Sequence, residues 1–83
     1  MENKQVPTTP TNFVENGNYR VATVKQVKTD KTVVECHFDN IKLALYHDAP
    51  RHHKSIEGLA VGDLCYVYRT ALDACILIDF VKQ

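Results

Sequence analysis

Eighty-three residues leave room for one small core, since a chain of this length buries only somewhat more than ~60% of its unfolded surface, and an internal cavity for a large cofactor is not expected. Ten Lys and Arg balance ten Asp and Glu, and 45% of the residues are hydrophobic against 24% charged, the composition of a globular domain and not of a disordered chain. No apolar run approaches the ~20 residues of a membrane span and the first residues hold no hydrophobic stretch, so a cytoplasmic protein without a membrane partner is expected.

Residues 1–17 contain Pro7, Pro10, three threonines and three asparagines, and they read as an extended arm before a single small domain over 18–83. The run 18–28, NYRVATVKQVK, follows as a first strand whose apolar parity changes between Val21 and Val24, which predicts a bulge there. A turn at 29–31 leads into TVVECHFDNIKLALYH. Reading Asp39-Asn40 as a two-residue hairpin turn pairs Phe38 with Ile41, Cys36 with Leu43 and Val34 with Leu45 on an apolar face. His37 with Lys42, Glu35 with Ala44 and Val33 with Tyr46 then form a mixed face.

Asp48, Pro50 and Gly58 have the spacing of a helix cap, first turn and stop, which predicts a short helix or helical turn over 49–57. LCYVYR (64–69) and ACILIDFV (74–81) complete five strands. Five short strands with one long link favour a small closed barrel over a sandwich. The first-strand run YRVATVKQV, the FDNI hairpin and the segment IEGLAVGDLCYVYR resemble the OB-fold, in particular its small RNA-binding versions. That resemblance implies a mainly β, five-stranded OB-like barrel. An SH3-like barrel is the alternative architecture.

Cys36, Cys65 and Cys75 are odd in number, form no CxxC pair and lie in apolar runs, where thiol reactivity is suppressed. The acids are scattered over turns and strand ends, so no catalytic residue is assigned and the protein is read as non-enzymatic. The four histidines fall within 37–53 without a zinc-motif spacing, and neither a metal nor another cofactor is assigned.

Two kinds of partner remain. Residues 20–54 hold seven basic against four acidic side chains, a local net charge of +3, whereas 55–83 hold two against four, or −2. The ligand face implied by the OB resemblance, strands two and three with nearby loops, would carry Lys28, Lys31, His37, Lys42 and Tyr46, with Arg20 or Lys25 from the first strand and Arg51 and Lys54 in the following link, for single-stranded nucleic acid. Zero net charge, sparse aromatics and a last strand apolar on both sides favour instead another protein or a second copy, met by Tyr66, Tyr68, Leu77 and Val81. Protein binding ranks first on sequence and single-stranded nucleic acid second.

Overall fold

A computed structural model describes residues 14–49 and 51–83; the arm expected over 1–17 lies outside them up to residue 13. Five strands form one sheet: β1 (Tyr19–Val27), β2 (Lys31–Cys36), β3 (Lys42–Tyr46), β4 (Leu64–Ala71) and β5 (Ala74–Val81). The sheet closes in a ring of order β1-β2-β3-β5-β4, with β4 returning to β1. All neighbours are antiparallel except β3 and β5.

Strand alternation sends one set of side chains inward from every strand. Ala22 and Val24, Val34 and Cys36, Leu43 and Leu45, Cys65 and Val67, and Cys75 and Leu77 are buried together, with Leu59 from the link. The three cysteines are free thiols within this core, the role of small hydrophobes expected of them.

The hairpin register departs from the expected one by two residues. Thr32 pairs with Leu45, Val34 with Leu43 and Glu35 with Lys42, and the loop is the five residues 37–41. Asn40 has a φ of 61°, its N–H donates to the Cys36 carbonyl at 2.9 Å, and the Cys36 N–H donates to Ile41 at 2.8 Å. An even shift keeps every side chain on its face, so the expected inward set of Cys36, Val34, Leu43 and Leu45 is retained. Phe38 and Ile41 leave the ladder: Ile41 packs against the core and Phe38 is 72% exposed.

The β1 bulge lies between Val24 and Gln26, beyond the stretch expected to carry it. Val21 and Val24 simply face opposite sides of a regular strand. A second shift between Tyr66 and Val67 pairs them with Asp79 and Leu77, making Ile78 the extra residue. Beyond it the parity of β5 inverts, so Cys75, Leu77 and Phe80 all pack inward. The two-sided apolar pattern of ACILIDFV is thus partly one face interrupted by a bulge.

No helix occurs among the described residues, and 51–58 runs as bends and turns in place of the expected helical turn over 49–57, of which Pro50 lies outside the described residues. The reason is where its hydrogen bonds go. His52 Nδ1 accepts from the Leu77 N–H at 3.0 Å, Nε2–H donates to the Tyr46 carbonyl at 2.8 Å, and the His53 N–H donates to Leu77 at 2.8 Å. The link is therefore stitched to β3 and β5, and helical i→i−4 pairing is given up.

This stitch supports the weakest seam. β3 and β5 have a single register pair, Ala44 with Ala74. Removing the imidazole strands one donor and one acceptor that are partly buried, at about 1–3 kcal/mol. His52→Ala is expected to lower unfolding free energy by about that amount in urea titration. His52→Gln, whose amide offers one donor and one acceptor, is expected to recover part of the loss.

Candidate nucleic-acid interface

The outer face of the β2–β3 hairpin is built by the residues that alternate with the core set. Register places Lys31 opposite Tyr46, Val33 opposite Ala44 and Glu35 opposite Lys42. The Lys31 ammonium lies 5.6 Å from the Tyr46 ring centroid, a cation–π distance. Lys31, Val33, Lys42, Ala44 and Tyr46, with Asp73 from the β4–β5 turn, line one shallow groove of about 150 Å³. The Ala44 N–H donates to the Asp73 carbonyl at 2.8 Å, which is why that turn lies against β3.

Of the residues expected to meet nucleic acid, the structure brings Lys31, Lys42 and Tyr46 together. Lys28 is exposed at the adjoining β1–β2 turn, its N–H donating to the Lys31 carbonyl at 2.8 Å. His37 sits at the far end of the hairpin, its Nε2 2.6 Å from Thr23 Oγ1. Arg51 and Lys54 do not join the groove. Arg51 is exposed in the link, and Lys54 pairs with Asp79 at 2.9 Å, holding that carboxyl below the usual carboxylate range despite its partial burial.

Of the residues expected to meet protein, Leu77 is a core residue with no exposure and Tyr66 is 2% exposed, so neither offers surface to a partner. Leu77 belongs to the inward set because of the alternation before the Ile78 bulge. Tyr68 and Val81 remain half-exposed, and Tyr68 packs against Tyr19 with ring centroids 4.8 Å apart and planes at 60°.

Three features were not foreseen. Arg20, expected with Lys25 as a first-strand contact to nucleic acid, instead shares the inward face of β1 with Ala22 and Val24 and is 1% exposed, so it offers no surface to a ligand. Its guanidinium donates to Asp39 Oδ1 and lies 5.3 Å from the Phe38 ring centroid, while its Nε has no partner among the described residues. Parity alone would have placed Arg20 inward, because it is two residues before Ala22. Asp73 and the exposure of Phe38 carried no local signal, since both follow from the loop geometry.

The thiols are poor nucleophiles. Burial pushes the Cys65 thiol up to about 12, and it pushes Cys75 up further and Cys36 up to a lesser extent. The rings of His47 and His52 are committed to hydrogen bonds. His47 Nδ1–H donates to the Thr29 carbonyl at 3.2 Å, leaving Nε2 to accept from the Thr32 hydroxyl at 2.8 Å, and both nitrogens of His52 are taken as described. Among the described residues no three His, Cys, Asp or Glu side chains converge on a metal-sized site, and no helix is long and apolar enough to cross a membrane. No protein-family model, curated protein or solved structure matches the chain.

Asp63 fixes the opposite end of the ring. It is 4% exposed; burial alone would raise its carboxyl, but Lys82 at 2.7 Å and the N–H groups of Gln83 at 3.1 Å and Ala60 at 2.9 Å outweigh this and lower it. A depressed native pKa contributes stability present above the unfolded value of ~3.9 and lost as pH falls below it. Asp63→Asn is expected to lower unfolding free energy at pH 7 and to flatten its decline between about pH 5 and pH 3. Equal slopes for both proteins in denaturant titrations over that range would show that Asp63 contributes nothing to acid lability.

Proposed function

We propose that the chain is a non-enzymatic, OB-like binding module whose outer β2–β3 face holds single-stranded nucleic acid. The observation that carries this reading is the groove itself: a tyrosine ring flanked by one lysine, with a second lysine on the same face. A planar ring beside ammonium groups suits a stacked base with its phosphates close by, and no sequence-specific contact is required. The ring order and the approach of the β4–β5 turn to β3 support the OB-like architecture over the SH3-like one, because that architecture combines the second and third strands with this turn in its ligand face.

Among the described residues Lys28, Lys31 and Lys42 form no ion pair, whereas Lys25, Lys54 and Lys82 each do. The unpaired ammonium groups thus lie on β2, on β3 and at the turn that enters β2. Docking to another protein is the second reading. It is favoured by the half-exposed Tyr19 and Tyr68 pair on the outer side of β1 and β4, and is weakened by the burial of Tyr66 and Leu77.

Fluorescence anisotropy of a labelled single-stranded oligonucleotide at low and moderate salt tests the proposal. Binding is expected to be weak and to fall with salt. Lys31→Ala and Lys42→Ala should each reduce the slope of log K against log salt by about 0.7, the amount for one phosphate contact on a single strand. Tyr46→Ala should weaken binding without changing that slope. Absence of binding by the unmodified chain at low salt would refute the reading.

A further inference from the structure

We propose that Phe38, at the tip of the β2–β3 loop, is a second stacking platform for a nucleobase, held in place from beneath by Arg20. The inference rests on the nucleic-acid reading and adds a residue outside the groove that carries it.

Phe38 is a large apolar side chain that folding does not use, since 72% of it is exposed and the core closes without it. An exposed phenylalanine on a mobile loop would mean little. This loop is fixed at several points. Asn40 is in the left-handed region and its N–H donates to Cys36, the His37 N–H donates to the Val21 carbonyl at 2.9 Å, and Asp39 Oδ1 accepts from the Ile41 N–H at 3.3 Å. The same Asp39 oxygen accepts from the Arg20 guanidinium, which is buried and lies against the Phe38 ring. Desolvation beside the Arg20 side chain acts to raise the Asp39 carboxyl, but the Arg20 hydrogen bond, the Ile41 N–H and the charges of Arg20 and Arg69 outweigh this and lower it.

A buried charge is costly unless it is paired. Here it serves both the acid that shapes the loop and the ring that the loop presents. With the guanidinium against the ring and most of the side chain in solvent, Phe38 is preorganised for a flat partner. A base is such a partner, and stacking is tolerant of its identity. The loop adjoins the β3 end that carries Lys42, while Tyr46 ends the same strand. Two aromatic platforms thus lie towards opposite ends of one hairpin, with Lys42 at the start of β3 and Lys31 of β2 opposite Tyr46 at its end.

The test compares unmodified protein, Phe38→Ala, Phe38→Trp and Tyr46→Ala in anisotropy titrations with a labelled oligo-U of about a dozen nucleotides. Phe38→Ala is expected to weaken binding by on the order of 5- to 100-fold, the range of one lost base stack, with the salt slope unchanged because no phosphate contact is removed. Phe38→Trp should retain affinity, and its indole, the sole tryptophan of the chain, should be quenched as oligonucleotide is added. Because Phe38 lies outside the core, circular dichroism and melting temperature should be nearly those of the unmodified chain. If the unmodified protein and Phe38→Ala bind equally while Tyr46→Ala is impaired, the platform is overturned and the groove reading stands. If the unmodified protein does not bind at low salt, both fall together.

Discussion

The fold depends on closing a five-stranded sheet at its one parallel seam. Antiparallel neighbours are joined along several registered positions each, but β3 and β5 share only the pair Ala44 and Ala74. Parallel strands cannot be joined by a tight turn, so the seam is reached only after the long link and β4 have been laid down. Left open, it would expose two strand edges to other chains. The chain solves this with a side chain: the imidazole of His52 accepts a hydrogen bond from the Leu77 N–H on one nitrogen and donates one to the Tyr46 carbonyl from the other. An imidazole in its neutral Nε2–H form is donor and acceptor at once, which is what a missing backbone unit would have been.

That closure also shapes the surface proposed to bind. Tyr46, whose carbonyl accepts from the His52 Nε2–H, carries the ring that lines the groove, and Asp73, whose carbonyl accepts from the Ala44 N–H, brings the β4–β5 turn to its edge. Groove and seam are therefore made from one set of backbone positions. At the other end of the hairpin, Arg20 plays the comparable part by drawing Asp39 onto itself and lengthening the loop.

Much of the architecture was legible because strand parity is robust. The five strands, their order in the chain and the inward set of Val34, Cys36, Leu43 and Leu45 follow from period-two alternation, whereas LCYVYR is apolar enough on both sides that alternation leaves its facing open. Registers were less legible. Asp39-Asn40 has the chemistry of a two-residue turn, yet Asp39 is engaged by Arg20, nineteen positions earlier, and a contact at that separation leaves no mark on local pattern. The β5 bulge misled in the same way. Leu77 and Phe80 have opposite parity in a regular strand, and only their common packing inside the ring reveals Ile78 as the inserted residue. The expected helical turn failed because Asp48, Pro50 and Gly58 are caps without a repeating apolar face between them, and His52 had better partners in β3 and β5. The candidate site was half legible: Lys31, Lys42 and Tyr46 alternate visibly, but Asp73 and Phe38 reach their places through tertiary contacts.

Zero net charge disfavours an anionic ligand, but ion pairing distributes that charge unevenly over the surface. Asp39, Glu35, Asp79 and Asp63 are engaged by Arg20, Lys25, Lys54 and Lys82 respectively. Asp39 shapes a loop, Asp79 anchors the link to β5, and Asp63 ties the VGD turn to the chain's end. Acids engaged in this way neutralise the cations beside them and leave the field at the β2–β3 face to Lys31 and Lys42. The Asp73 side of the groove works against them, so the net attraction for phosphate is small. Affinity at such a face has to come from ring stacking more than from charge, which is the physical reason to look for a second aromatic platform on this hairpin.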